Sequence, residues 1–284
     1  MADGVADCRG PEMSRPVPLS VPSIITLIIA SVAGLAFFAW PLVVPATASR
    51  QATASTPYFF VVIVGLIILL TLIQVTEEGL DAKALAMLGV LSAVGAALRP
   101  LSAGTNGIEL GFFLLILAGR VFGPGFGFLL GCTSIFASAL LTAGIGPWLP
   151  FQMLAAAWVG LGAGLLPHRL GRKEMSIATE IIVLVVYGIV SAYLFGALMN
   201  LWFWPFMTGY GDNTLGYVPG GSLATNLHHF LVYTLATSTI VWDTGRAITN
   251  IALIVSLGPG VLGILRRAAR RAAFSSGQSA NMAR

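Results

Sequence analysis

Long apolar segments, separated by short polar or Gly/Pro-rich segments, dominate the sequence. A helix needs about 20 apolar residues to cross a bilayer core about 30 Å thick. Residues 23–44 are apolar almost throughout, and the pattern repeats along the chain. Further predicted spans lie at residues 58–74, 82–98, 108–119, 128–142, 151–166, 176–200 and about 242–266. Because these runs are continuous rather than alternating, the pattern predicts membrane-spanning helices and not a β-barrel.

The positions of the basic residues select one topology. Residues 223–242 and 249–265 are both apolar enough to cross a membrane. If both crossed, the arginines at 266–271 would lie opposite the basic loop at 169–173, which the positive-inside rule disfavours. A single crossing places about 12 of the 15 basic residues in the cytoplasm. We therefore expect eight spans in the plasma membrane, cytoplasmic termini, and an outer-face or re-entrant helix at 223–241.

Composition supports an all-α integral membrane protein embedded in the lipid bilayer. The chain is 57% hydrophobic and only 9% charged, with a mean hydropathy of +0.89. Soluble domains carry about 25% charged residues, so this chain cannot present a water-soluble surface. The formal charge of +4 does not indicate nucleic-acid binding, because the basic residues cluster in loops and the tail, where they orient helices.

The usual marks of catalysis or of a bound cofactor are missing from the sequence. Cys8 lies in a polar segment and Cys132 in an apolar one, so they predict neither a disulfide nor a metal site. His228 and His229 are adjacent and lack metal-ligand spacing. No G-x-x-x-x-G-K-[ST] loop is present, and we interpret residues 120–127 (RVFGPGFG) as a structural turn. We expect no catalytic site, metal or cofactor, and any ATP hydrolysis would need another subunit.

Polar and aromatic residues converge on the predicted outer face, around the turns that interrupt residues 99–167. Charged groups at membrane depth are costly and mark functional sites by default. The same residues can also form structural ion pairs or interfacial anchors, such as Arg99 with Glu109 or Asp243 with Arg246. The candidate substrate-binding residues are Arg99, Asn106, Glu109, Trp148, Gln152, Asn200, Trp204, Asp243 and Arg246.

Small residues recur every three or four positions in the predicted helix at 82–98. Ala82, Ala86, Gly89 and Ala93 fall on one face, and inside a membrane such a stripe lets a second helix approach closely. The stripe predicts either a docking surface for a partner protein or packing within this chain. The pattern alone leaves both possibilities open.

Several segments together resemble a known family. They are DAKALAMLGVLSAVGAALRP, AGRVFGPGFGF, GPWLPFQM, LMNLWFWPF and WDTGRAITN. Over about residues 81–271 the chain resembles the substrate-binding S component of an energy-coupling factor (ECF) transporter, of the actinobacterial type. The resemblance implies a six-helix vitamin-binding core, residues 81–271. Residues 1–80 then form a polar lead with two extra spans, and residues 272–284 a cytoplasmic tail.

The resemblance also implies partners and a mechanism. The partners are a transmembrane coupling protein (EcfT) and two ATP-binding-cassette (ABC) ATPases. Carried onto this sequence, the partner-docking face is Ala82, Ala86, Gly89 and Ala93, and the substrate loops are residues 99–109, 144–152 and 200–222. The implied cycle is capture outside, tilting of the whole subunit in the membrane, and a reset driven by ATP hydrolysis.

Two other classes of function remain in competition at this point. A membrane-embedded enzyme would need a converging set of acids, bases or metal ligands, for which Glu109, Asp243, His228 and His229 are the candidates. An independent secondary transporter often contains two similar inverted halves, and we find no internal repeat.

Overall fold

The computed structural model describes residues 20–43, 65, 82–102, 105, 107–170, 173–204, 215–218 and 221–282. Its helices are α1 (Val21–Val43), α2 (Ala82–Ser102), α3 (Phe112–Phe122), α4 (Pro124–Leu141), α5 (Leu149–Leu165), α6 (Ile177–Phe203), α7 (Leu223–Thr234), a π-helical segment (Leu235–Asp243), α8 (Thr244–Ser256) and α9 (Gly258–Met282). A two-residue hairpin, β1 (Arg169–Leu170) with β2 (Lys173–Glu174), joins α5 to α6. The prediction of an all-α architecture is confirmed.

The described helices are those of a membrane protein. α2, α4 and α6 are each long and apolar enough to cross a bilayer, and the bent run from α7 to α9 makes a fourth candidate. α3, α5 and most of α1 are apolar but shorter. The predicted span at residues 58–74 lies outside the described residues, so the total of eight spans stays a prediction.

The core is built around α3, which is short and almost wholly enclosed. Ten of its eleven residues are buried, as expected for a helix that is hydrophobic on every side. α3, α4 and α5 meet at Gly119, Gly127 and Gly160, where a Cβ on any of the three would clash with backbone of a neighbouring helix. Because these three positions have no side chains, α3, α4 and α5 can approach one another closely here.

The turn predicted at residues 120–127 is much tighter in the structure. α3 continues through Phe122, and α4 begins at Pro124. The reversal rests on Gly123 alone, whose φ of +100° suits glycine rather than an L-residue with a side chain. Pro124 then occupies the first helical position, where its missing N–H costs nothing.

α1, the first of the predicted extra helices, packs against the outside of α5 and α6. Phe38 is buried and meets the rings of Phe151 and Trp158 at centroid distances of 5.2 and 5.6 Å. The Trp158 indole N–H donates to Ser31 Oγ at 3.0 Å. One face of the core is therefore covered by a helix of the same chain.

The predicted boundary between residues 241 and 242 is wrong. α7, the π segment and α8 form one continuous helix from Leu223 to Ser256. The chain bends by 67° only afterwards, at Leu257, before α9 begins. The polar residues between the apolar segments 223–242 and 249–265 are accommodated within this continuous helix.

Four helices are fastened together around one buried carboxylate, Glu180. Arg120 Nε donates to Glu180 Oε1 at 2.8 Å, and Arg266 Nη2 lies 2.6 Å from both carboxylate oxygens. Arg120 Nη1 also donates to the carbonyl oxygens of Leu166 and Pro167, just beyond α5. The cluster joins α3, α5, α6 and α9. We call the part of the bundle that holds it the closed end.

Candidate functional site

A cavity of about 340 Å³ lies at the end of the bundle opposite the closed end. It is bounded by the last turn of α2, the residues before α3, the start of α5 and the first turn of α8. Its walls include five of the predicted substrate-binding residues: Arg99, Glu109, Trp148, Gln152 and Arg246. Residues far apart in sequence, and predicted to face the same side, are thus brought together.

A second cavity, of about 300 Å³, adjoins the first. Asn200 and Asp243 line it together with Gln152, Trp242 and Arg246, and these last three side chains also line the first cavity. The two cavities therefore lie on either side of a shared wall. We call this part of the bundle the cavity end.

Arg246 is held in place on several sides. Its Nη1 donates to Asp243 Oδ1 at 2.9 Å and to the carbonyl oxygen of Ala192 at 3.2 Å. Its guanidinium carbon lies 5.3 Å from the ring centroid of Phe112 and 4.8 Å from that of Phe195, within the range of cation–π attraction. The predicted ion pair between Asp243 and Arg246 is therefore present, and it forms part of the cavity wall.

The π segment explains how Asp243 enters the bundle. Asp243 is almost fully buried, and its Oδ2 accepts a hydrogen bond from Ser238 Oγ at 2.8 Å. These two residues are five apart, the spacing that a π-helix aligns. On α6, Gly196 has no side chain, and a Cβ there would clash with the Asp243 carboxylate. A glycine and a local change of helix period together make room for a buried acid.

Three buried polar atoms in the cavity walls have no hydrogen-bond partner among the described residues. They are Glu109 Oε1, Arg246 Nε and Asn200 Nδ2. The first is an acceptor and the other two are donors. Buried polar groups are normally paired, and each unpaired one in a native structure needs an explanation. Here all three line a space large enough for a ligand.

Two predicted binding residues do not fall in this arrangement. Trp204 lines neither cavity: it is fully buried in an aromatic cluster with Phe230 and Tyr233, against which Tyr217 packs. Tyr233 also lines the second cavity, so the cluster borders the site. Its indole N–H donates to the carbonyl oxygen of Leu215 at 2.8 Å. Asn106 lies outside the described residues.

Sequence reasoning also missed wall residues. Trp242 lines both cavities, although it stands beside the predicted Asp243 in the WDTGRA segment. Phe195 and Ser238 were hidden within apolar helices, where no local pattern separates a wall residue from a core residue. Of these three, only Trp242 could have been identified from the sequence, because Trp is enriched at membrane interfaces and this one adjoins a charged residue.

The predicted docking stripe lies on the surface of α2. Ala82, Ala86, Gly89 and Ala93 are all exposed, and a Cβ built on Gly89 meets nothing within 4 Å. The opposite face of α2 packs on α4, where Ser92 Oγ and Thr133 Oγ1 lie 2.6 Å apart. Within the described part of the chain, the stripe is therefore not used for internal packing.

The residues considered for an enzyme do not converge. His228 and His229 lie side by side on α7, and His229 Nδ1 is hydrogen-bonded to the carbonyl oxygen of Gly216. No group of three His, Cys, Asp or Glu that could hold a metal ion occurs among the residues that the structure describes.

Comparison with known proteins gives one match. A family model described as ECF transporter, substrate-specific component, matches residues 83–262, which is more than half of the 284-residue chain. The matched region contains both cavities, the closed end apart from Arg266, and all but the first residue of the α2 stripe. No curated protein and no solved structure matches the chain.

Proposed function

Because this chain belongs to the family of ECF transporter substrate-specific components, we propose that it captures a vitamin or related micronutrient at the outer face of the cell membrane. The family assignment makes the chain the substrate-specific membrane subunit of an importer. The observation that carries the proposal is the cavity pair around Arg246, where buried charged and amide groups line a space of ligand size. Ligand sites are typically concave, with a few well-placed polar groups.

The distribution of charge supports an orientation in which the cavity end faces outward. The closed end carries the basic hairpin and the basic stretch of α9 at residues 266–271, including the exposed Arg169, Arg267 and Arg270. The positive-inside rule favours such residues on the cytoplasmic side. In this orientation the ligand enters from outside, and both termini are cytoplasmic.

The exposed stripe on α2 supports a partner-docking role. Small residues allow two membrane helices to approach closely, and this face is left uncovered by α1, which packs on α5 instead. We assign the stripe to contact with a transmembrane coupling protein of the EcfT kind. Two ABC ATPases would then power delivery through tilting of the loaded subunit.

The first experiment identifies the cargo and the energy source. The detergent-solubilised protein should release a bound small molecule on denaturation, detected by mass spectrometry. In proteoliposomes, uptake of that molecule should need the coupling protein, both ATPases and ATP. Uptake by this chain alone, driven by an ion gradient, would overturn the proposal.

A second experiment separates docking from binding. Ala86→Leu and Ala93→Leu place bulky side chains on the stripe, so they should reduce copurification of the coupling protein while ligand binding is retained. Ala252→Leu, the same change at an exposed alanine of α8, is the matched control and should leave copurification unchanged. Normal copurification with both stripe variants would refute the docking assignment.

The reciprocal variants address the cavities. Arg246→Ala and Glu109→Ala should weaken ligand binding more than they weaken assembly with the coupling protein. If both variants bind the ligand with wild-type affinity, Arg246 and Glu109 have a structural role and do not bind substrate.

A further inference from the structure

The two cavities are best described as two chambers of one site. Gln152, Trp242 and Arg246 line both, with Glu109 in the wall of the first and Asn200 in the wall of the second. Each chamber alone is at the lower limit of the volume usual for small-molecule sites, about 300–1,000 Å³. A ligand that occupies both would therefore extend past Arg246, with one end near Glu109 and the other near Asn200.

The charges that line the two chambers balance. The described wall residues include two cations, Arg99 and Arg246, and two anions, Glu109 and Asp243. Asp243 and Arg246 already pair with each other at 2.9 Å. A ligand with a large net charge would therefore leave charge uncompensated in a site at membrane depth, which is unfavourable. The balance favours a ligand with no net charge.

The unpaired atoms give the two ends of the site opposite hydrogen-bonding character. In the first chamber, Glu109 Oε1 can only accept a hydrogen bond when the carboxylate is ionised. In the second, Asn200 Nδ2 can only donate, and Arg246 Nε between the chambers also only donates. A ligand that pairs with all three must offer a donor at one end and acceptors along the rest.

We propose that the site takes a net-neutral molecule with two unlike ends. An uncharged donor group, such as an amide or ring N–H, pairs with Glu109. A carbonyl or another acceptor group pairs with Asn200 and with Arg246 Nε. This inference rests on the proposed function, because it names the class of substrate for the same site. It excludes phosphorylated and other strongly anionic compounds as cargo.

Yeast extract, separated by charge, is a probe that can be used before the ligand is identified. Passage over anion- and cation-exchange resins at pH 7 divides the extract into anionic, cationic and neutral or zwitterionic pools. Protein purified in detergent from cells grown in minimal medium is incubated with each pool, and retained compounds are measured by mass spectrometry. We expect retention from the neutral pool.

Isosteric variants then test the two ends. Glu109→Gln replaces one of the two acceptor oxygens with a donor NH2 group and removes the charge, and Asn200→Asp replaces the donor nitrogen with an acceptor oxygen. Each substitution should raise the half-saturating extract concentration about tenfold. A ligand donor would then face a protein donor at position 109, or a ligand acceptor a protein acceptor at position 200. Glu109→Asp keeps the carboxylate and should lose less than Glu109→Gln. Gel filtration and melting temperature report whether each variant is folded.

The outcomes separate this inference from the proposed function. A ligand retained only from the anionic or cationic pool overturns the inference and leaves a capture role intact. Unchanged retention by both Glu109→Gln and Asn200→Asp, in folded protein, also overturns it. Retention of nothing from any pool contradicts the proposed capture function itself.

Discussion

Two arginines in ion pairs stand at opposite ends of the bundle, and they differ in how completely their hydrogen-bonding groups are used. Arg120, at the closed end, uses Nε for the shared carboxylate of Glu180 and Nη1 for two carbonyl oxygens. Arg246, at the cavity end, also pairs with a carboxylate and a carbonyl oxygen, but its Nε is left without a partner among the described residues. The Arg120 side chain is 2% exposed and the Arg246 side chain 11%.

The difference shows how one type of residue serves both stability and binding. Around Glu180, two guanidinium groups and a carboxylate join four helices, so the cost of burying charge is offset by many hydrogen bonds. Around Arg246, the Asp243 carboxylate and two aromatic rings hold the guanidinium in position, and one donor remains free to face a cavity. A charged residue in an ion pair is a candidate binding group when one of its hydrogen-bond donors or acceptors is left without a partner and faces a cavity.

The largest effect is expected from Glu180→Gln. The substitution leaves Arg120 buried without a carboxylate, and removing one partner from a buried ion pair costs about 3–5 kcal/mol. The free energy of unfolding, measured in detergent by denaturant titration, should fall by about that amount. Glu109→Gln is the matched control at the cavity end and should change it by less than about 1 kcal/mol, because its Oε1 has no described partner to lose. If both variants lose the same free energy of unfolding, the closed end is not the more strongly stabilised of the two ends.

Much of the fold followed from the sequence because hydrophobic runs report burial in lipid directly. The helices at 82–102 and 177–203 begin within a residue of their predicted starts, and the family resemblance is confirmed by the match over residues 83–262. The actinobacterial type and the division into 1–80, 81–271 and 272–284 stay predictions. Seven of the nine candidate binding residues line adjoining cavities, because short turns return their helices to one end of the bundle.

The closed end escaped sequence analysis for a physical reason. Glu180 is 60 residues from Arg120 and 86 from Arg266, so no local spacing connects them. The misplaced break at residue 242 has a related cause. The positive-inside rule counts crossings but does not locate helix ends, and it could not show that the ion pair of Asp243 with Arg246 and the π segment lie within one continuous helix.

A smaller effect is expected from Gly196→Ala, which tests how the cavity end is positioned. The new Cβ would push the Asp243 carboxylate away from its present place, and overpacking of this kind costs about 1–3 kcal/mol in stability. Arg246 would then lose its orienting partner, so affinity for the copurified ligand should fall about tenfold, or about 1.4 kcal/mol. Isothermal titration calorimetry measures the affinity. Gly89→Ala, where a Cβ meets open space, is the control: affinity should not change, and stability should rise by about 0.5–1 kcal/mol, the usual effect of Gly→Ala in a helix.

The smallest effect on binding is expected from Trp204→Phe, the substitution that best separates the sequence prediction from the structure. The sequence predicts Trp204 in the substrate site, whereas the structure packs it against Tyr217 and Phe230, where it lines neither cavity. Loss of its hydrogen bond to the Leu215 carbonyl should cost about 1 kcal/mol of stability. Ligand affinity should stay within about twofold of wild type, since Trp204 itself lines neither cavity. A loss comparable to that in Gly196→Ala would mean that the aromatic cluster and the cavities act as one site, coupled through the wall residue Tyr233.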